Sequence, residues 1–214
     1  MPWSAVLFDL DGTVADTIGL ILRCYRHTMK THLGEEPPDD VWIRGMGTPL
    51  RQQLGVFGRS PEEVEAMANT YVTLQRQIHD EMVSVYPGVP EMLAALEAAG
   101  VPMALVTSRR PEMLHRTLER CDLARYFEVI VTPDDVTKPK PDPEPVLLAL
   151  ERLGSPPADR VLFLGDSPHD IEAGKGAGVR TVGVLWGPFP RETLEAAGAD
   201  YLIARPLDLL DLRP

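Results

Sequence analysis

Between Val14 and Leu33 the apolar residues Val14, Ile18, Ile21, Tyr25, Met29 and Leu33 recur at steps of three and four, the spacing of one face of an α-helix. A second stripe, Val64, Met67, Tyr71, Leu74 and Ile78, follows Ser60-Pro61-Glu62-Glu63, which combines an N-cap serine, a proline at N1 and a capping-box glutamate at N3. Between them, Thr48-Pro49 predicts another N-cap and N1 ahead of Leu50 to Leu54. The stretch from about 15 to 83 therefore predicts helices without strands, its Met and aromatic stripe serving internal packing.

After Tyr86-Pro87-Gly88 the pattern changes to short β-rich runs at Pro102 to Val106, Val129 to Val131, Val161 to Leu164, Thr181 to Leu185 and Tyr201 to Ile203, separated by helical stretches. Those stretches end at Gly100, Gly154, Gly178 and Gly198, each placed like the left-handed residue that closes a helix. Near-continuously apolar strands alternating with helices predict an α/β fold, a doubly wound parallel, Rossmann-like sheet. The first strand, about Ala5 to Phe8, precedes the helical segment. The predicted organisation is an α/β core from 1–15 and 84–214, with a helical cap domain, 16–83, inserted after the first strand and hinged near 13–17 and 82–87.

At 214 residues the chain is long enough to bury a substantial core, and its 44% hydrophobic share is that of an ordinary globular protein. No run approaches the ~20 consecutive apolar residues of a membrane span, and no basic leader precedes an apolar stretch, so the expectation is a cytoplasmic protein without a membrane partner. Cys24 and Cys121 belong to no metal-ligand cluster and are expected as free thiols. A net charge of −11 with no compensating Lys/Arg run argues against nucleic acid. An anionic small substrate then needs a locally positive site: a metal ion, a lysine or helix N-termini. A monomer and a homodimer are both compatible with the sequence.

The chemistry-bearing residues gather where apolar runs end. Asp9 and Asp11 follow the first run; Thr107-Ser108 follows Met103 to Val106; a Lys138-Pro139-Lys140-Pro141-Asp142-Pro143 loop lies beyond Val129 to Val131; Gly165-Asp166-Ser167-Pro168-His169-Asp170 follows Val161 to Leu164. In an open α/β sheet ligands bind beyond the carboxyl ends of the strands, so one crevice can hold all four clusters. The ensemble suits phosphoryl transfer. An aspartate with the ordinary pKa of about 3.9 is ionised at neutral pH and attacks without a general base, but it is repelled by the phosphate. A divalent, oxygen-liking ion such as Mg²⁺ bridges the two, while a lysine and hydroxyls hold the remaining oxygens. The predicted metal set is Asp9 and Asp166 through side chains, Asp11 through its backbone carbonyl, and Asp170 ordering the outer shell. The Asp11 side chain is left for acid and base work, for which the neighbouring Asp9 charge and partial burial would raise its pKa.

Asp9-x-Asp11-Gly-Thr-x-x-Asp, Thr107-Ser108, the Lys-Pro-x-Pro element and Gly-Asp166-x-x-x-Asp170, in this order, resemble the four motifs of the haloacid dehalogenase superfamily of phosphatases over essentially the whole chain. The resemblance implies an aspartyl-phosphate intermediate on Asp9, acid–base work by Asp11, phosphate contacts from Thr107, Ser108 and the lysine, and Mg²⁺ held by Asp9, Asp11 and Asp166. The inserted helices resemble that superfamily's small cap, which closes over substrate. Asp11 argues against a dehalogenase, whose chemistry has no use for a second carboxylate protonating an alkoxide. Both Lys138-Pro139-Lys140-Pro141 and Lys140-Pro141-Asp142-Pro143 fit the third motif. The stretch Lys140-Pro-Asp-Pro-Glu-Pro-Val, with Asp134-Asp135-Val136 before it, is similar to the phosphoglycolate phosphatase and pyrophosphatase branch, which selects Lys140.

In the helical segment, Arg44-Gly45-Met46-Gly47-Thr48-Pro49 is the candidate substrate-reading loop, with Arg44 and Thr48 as its contacts, set against a plain interhelical turn. Arg51 and Arg109 are further candidates for the cleft. Gly174-Lys175-Gly176-Ala177-Gly178 follows a helix and is expected as a helix end packed on the sheet. His27, His32 and His169 are expected to be structural or exposed. The expected substrate is a small phosphorylated metabolite, with 2-phosphoglycolate first and pyrophosphate second. A sugar phosphomutase of the same superfamily and a phospho-receiver signalling domain are the alternatives, but a receiver carries its acceptor aspartate on the third strand, not the first.

Overall fold

The computed structural model describes residues 3–213. β1 (Ala5–Phe8) is followed by a two-residue β2 (Ala15–Asp16), helices α1 (Ile18–Leu33), α2 (Asp39–Ile43), α3 (Leu50–Leu54) and α4 (Pro61–Met82), and a two-residue β3 (Ser84–Val85). Helix and strand then alternate through α5 (Val89–Ala98), β4 (Met103–Val106), α6 (Pro111–Arg120), β5 (Val129–Val131), α7 (Glu144–Arg152), β6 (Val161–Gly165), α8 (Pro168–Gly176), β7 (Arg180–Val184), α9 (Arg191–Ala197) and β8 (Tyr201–Ile203).

The six-stranded sheet has the order β5-β4-β1-β6-β7-β8 with every neighbouring pair parallel. The doubly wound fold expected from the alternation is present. Successive side chains of a strand point to opposite faces, and both faces are covered. Val6 and Phe8, with Met103, Leu105, Leu162 and Leu164, pack against Met92, Leu93 and Leu96 of α5 and Leu114 and Leu118 of α6. Ala5 and Leu7, with Ala104, Val106, Val161 and Phe163, pack against Val146, Ala149 and Leu150 of α7 and Ala173 of α8. Each large buried side chain contributes about 1.5–3 kcal/mol, and together they fix the strand ends from which the polar clusters project. The strand order reverses direction at β1, between β4 and β6, where a ligand crevice is expected.

The helices between β2 and β3 share a cluster, continued by Ile171, Phe189 and Leu194, in which Tyr25, Trp42, Met67 and Tyr71 are buried and the Tyr25 and Trp42 rings stack at 4.6 Å. The segment is not free of strands, as its pattern had suggested. Ala15 and Asp16 pair antiparallel with Val85 and Ser84, so the two connections leaving and re-entering the sheet are tied together. α1 starts at Ile18, not Val14: Gly12 at φ +79° and hydrogen bonds from Val14 and Ala15 to the Leu10 carbonyl make a turn, and Val14 joins the cluster around β1.

Ser60 caps α4 by accepting from the Glu63 amide, but the box is not reciprocal, because the Glu63 carboxylate accepts from the Arg59 amide and guanidinium. Thr48 is not the expected cap of α3: its hydroxyl donates to the Gly45 carbonyl at 2.7 Å, and Pro49 stands at the cap position. Gly100, Gly154, Gly178 and Gly198 have φ of 66°, 83°, 78° and 82°, as their placement predicts. The end of α8 packs on the sheet, since a Cβ at Gly174 would lie 2.6 Å from Thr181 Cγ2. Cys24 and Cys121 are free.

Candidate active site

β1, β4 and β6 deliver their polar residues to one place. The Asp9 amide still donates to Leu164 O, extending the ladder by one residue, and Asp166 follows directly on β6. One carboxylate oxygen from each of Asp9, Asp166 and Asp170 lies within 4.8 Å of the others, and all three side chains are buried. Three glycines make this packing possible. A Cβ at Gly12 or Gly187 would stand 2.4 Å from Asp166 atoms, and one at Gly165 would stand 2.2 Å from Asp170 Cβ.

Lys140 is the cation of the cluster. It is 2% exposed, and its Nζ donates to Asp9 Oδ1 at 2.7 Å, Asp170 Oδ1 at 2.6 Å and the Val106 carbonyl at 3.1 Å. Lys138, the other lysine that fits the motif, is exposed, its ammonium 3.9 Å from Asp142 and away from the aspartate cluster. Asp170 also accepts from the amide and hydroxyl of Ser167, at 3.1 and 2.6 Å, so both its oxygens are engaged in holding the loop and the lysine.

Burial pushes the Asp9 carboxyl up to about 7, with the Asp170 and Asp11 charges adding to the effect and Lys140 opposing it. The sequence expectation of an ordinary, fully ionised aspartate therefore does not hold for the metal-free site. Asp166 is likewise held well above the usual carboxylate range by burial and by Asp170 and Asp9. Burial lowers the Lys140 pKa, but Asp170 and Asp9 outweigh it and keep the ammonium above the ordinary lysine range. With all three carboxylates ionised, the one ammonium would leave two negative charges in a buried, all-oxygen pocket. Such a donor set fits a divalent, oxygen-liking cation.

Asp11 sits apart from this cluster. Arg109 Nε donates to its Oδ2 at 2.9 Å, Nη2 donates to Oδ1, and the Thr17 hydroxyl donates to Oδ1 at 2.6 Å. Where the sequence leads one to expect the Asp9 charge as the neighbour of Asp11, the structure sets a guanidinium against it. Thr107 is buried and accepts from the Arg109 amide at 3.1 Å, while the Ser108 hydroxyl donates to Gly47 O at 2.6 Å, joining the end of β4 to the loop before α3.

A cavity of about 470 Å³ opens above these groups, lined at its floor by Asp9, Asp11, Asp166, Ser108 and Arg109 and at its roof by Trp42, Met46, Thr48 and Tyr71. Thr48 and Arg51 line it; Arg44 does not, because its side chain is exposed and pairs with Asp40 one turn away. Tyr71 and Gln75 on α4 also face the cavity. The Tyr71 stripe was readable only as packing, since a helix position that serves core and cavity together has the same period. His27 is exposed and His32 bonds Thr70. His169 has both ring nitrogens enclosed without partners, its Cδ2 3.3 Å from where a Gly47 Cβ would lie.

The sequence pattern of haloacid dehalogenase-like hydrolases matches residues 6–184. The chain belongs to that family. This haloacid dehalogenase-like hydrolase is 39% identical over 210 residues to the pyrophosphatase PpaX of Bacillus velezensis, covering 98% of this chain and 95% of the relative. It is 36% identical over 217 residues to the N-acetylmuramic acid 6-phosphate phosphatase of Pseudomonas aeruginosa, covering 99% and 95%. Among solved structures, a hydrolase from Pseudomonas syringae superposes with a TM-score of 0.87 at 26% identity, covering 97% of this chain and 96% of that one. The protein is a phosphatase of the haloacid dehalogenase-like family, a class acting on small phosphorylated substrates, and no helix among its described residues is long and apolar enough to cross a membrane.

Proposed function

We propose that the protein is a Mg²⁺-dependent phosphohydrolase working through an aspartyl-phosphate on Asp9, with pyrophosphate as the first substrate to test. The observation that carries this reading is the buried Asp9–Lys140–Asp170 chain beside Asp166, opening into a cavity. Asp9 and Asp166 would hold the cation by their side chains and Asp11 by its carbonyl, with Asp170 fixing Lys140 and the Ser167 loop. When bound, the ion supplies positive charge that keeps Asp9 ionised and screens the phosphate from it.

Asp9 Oδ2, the oxygen not engaged by Lys140, attacks phosphorus. The P–O bond to the leaving group breaks as the new bond forms; Lys140 supplies positive charge beside Asp9, and the Thr107 hydroxyl, with that of Ser108 once it turns from the Gly47 carbonyl, donates to the phosphoryl oxygens. Asp11 gives a proton to the leaving oxygen, then takes one from the water that attacks the aspartyl-phosphate, which restores both residues. The 16–83 segment serves as a cap: its loop carrying Gly47 and Thr48 roofs the cavity and excludes water from the intermediate.

A second reading rests on the cavity itself. Its volume lies within the about 300–1,000 Å³ of small-molecule sites, and Trp42, Met46, Leu50 and Met113 give it apolar walls, which suit an organic phosphate such as 2-phosphoglycolate better than pyrophosphate. The test is phosphate release with Mg²⁺ across pyrophosphate, 2-phosphoglycolate, sugar phosphates including N-acetylmuramic acid 6-phosphate, and nucleotides, with Asp9→Asn as control. One substrate far above the rest in kcat/KM, lost in Asp9→Asn, supports the reading. Wild-type turnover by Asp9→Asn overturns it.

A further inference from the structure

Arg109 lies two residues beyond Thr107 and is 7% exposed, on the cavity floor between Asp11 and the roof. Two of its nitrogens chelate the Asp11 carboxylate, and Nη1, also enclosed, has no partner. The other arginines along the cavity wall pair with acids that have no part in the chemistry: Arg51 with Glu65, Arg76 with Glu112 and Arg110 with Asp134, their side chains 46%, 52% and 65% exposed. Among the described cavity residues, Arg109 is thus the arginine that is both buried and incompletely satisfied.

Its pairing conflicts with the acid–base role given to Asp11 above, on which this inference rests. A carboxylate whose oxygens accept two guanidinium bonds and the Thr17 hydroxyl has none turned toward a leaving group. A buried guanidinium is costly to strip of its counter-anion, so Arg109 releases Asp11 when another anion replaces it. The planar fork that fits Asp11 also fits a substrate carboxylate or phosphoryl group, and the unpartnered Nη1 offers the first contact.

We propose that Arg109 is the specificity-determining residue of this site: it takes up a second anionic group on the substrate, a carboxylate or terminal phosphoryl, and in exchanging partners frees Asp11 for proton transfer. Substrates of this class carry the second charge close to the scissile phosphate. A neutral ester has nothing to displace Asp11 and leaves the ion pair closed.

The test compares 2-phosphoglycolate with 2-hydroxyethyl phosphate, in which a neutral CH₂OH replaces the carboxylate, in wild type and in Arg109→Gln, with Mg²⁺ throughout. Wild type is expected to prefer the anionic ester about a hundredfold in kcat/KM, the scale of losing a charge-assisted hydrogen bond to a guanidinium, with part of the difference in kcat. In Arg109→Gln the anionic ester loses far more than the neutral one and the preference collapses toward unity. Equal losses on both esters would assign Arg109 a structural role and overturn the proposal. So would wild-type turnover without preference, a result that needs no variant to fold and leaves the phosphatase reading intact if turnover still depends on Asp9. No Asp9-dependent turnover of any phosphate removes that reading and this inference with it.

Discussion

Lys140→Met removes the cation buried among Asp9, Asp166 and Asp170 while roughly keeping side-chain volume. Three hydrogen bonds of 2.6–3.1 Å disappear, and Asp170, joined by Asp9 once that group ionises, is left buried without its counter-charge. Breaking a buried pair from one side costs roughly 3–5 kcal/mol. For a chain of this size each kcal/mol moves Tm by roughly 2–4 °C, so metal-free Lys140→Met should melt about 10 °C lower. Turnover should fall at least about a hundredfold, the usual effect of removing one preorganised donor from developing negative charge. Lys138→Met is the control: its exposed ammonium lies 3.9 Å from Asp142, and such a surface pair is worth about 0–1 kcal/mol. Thermal melts and kcat/KM on both variants decide the matter. Equal losses, or a Lys140→Met protein with wild-type Tm and turnover, would refute the placement of the charge.

The raised pKa of Asp9 sets a pH dependence. In the metal-free fold Asp9 keeps its proton up to about 7, whereas in the unfolded chain it loses it near 3.8, so this group's contribution to stability is lost as pH rises from about 4 to about 7. A divalent cation offsets that loss, and the rise in Tm on adding Mg²⁺ should be larger at pH 8 than at pH 6; a larger rise at pH 6 would contradict the sign. Gly187→Ala forces a Cβ to within 2.4 Å of Asp166 Cβ, and titration calorimetry should show Mg²⁺ affinity weakened at least about tenfold, the scale of disturbing a ligand's supporting shell. Unchanged affinity would mean that Asp166 is not a ligand.

The parallel sheet was legible because apolar runs separated by glycine-ended helices carry the period of a doubly wound fold, and the strands from β4 to β8 lie within a residue or so of their predicted positions. The short β2–β3 ladder was not, since two residues have no periodicity and their pairing joins positions some seventy apart in the chain. Asp9, Lys140, Asp166 and Asp170 come together as the motifs implied, because each motif occupies the end of a strand or the loop beyond one. Arg109 is a cleft candidate on sequence, but its pairing with Asp11 is not legible there: nothing in Thr107-Ser108-Arg109-Arg110 tells which arginine turns inward, and the partner is chosen by the approach of β4 to the loop after β1. Arg44 illustrates the converse. Its loop roofs the cavity, yet the helical offset of four to Asp40 draws the side chain outward.

Everything proposed for the reaction depends on Asp9 carrying the phosphoryl group. Rapid quench in acid during turnover, followed by borohydride reduction, converts an aspartyl-phosphate to homoserine, which peptide mass spectrometry locates. Homoserine is expected at position 9 in a substrate- and Mg²⁺-dependent yield, and none in Asp9→Asn. Homoserine at another aspartate, or rapid turnover with no trapped residue under conditions where the acyl phosphate accumulates, would contradict it.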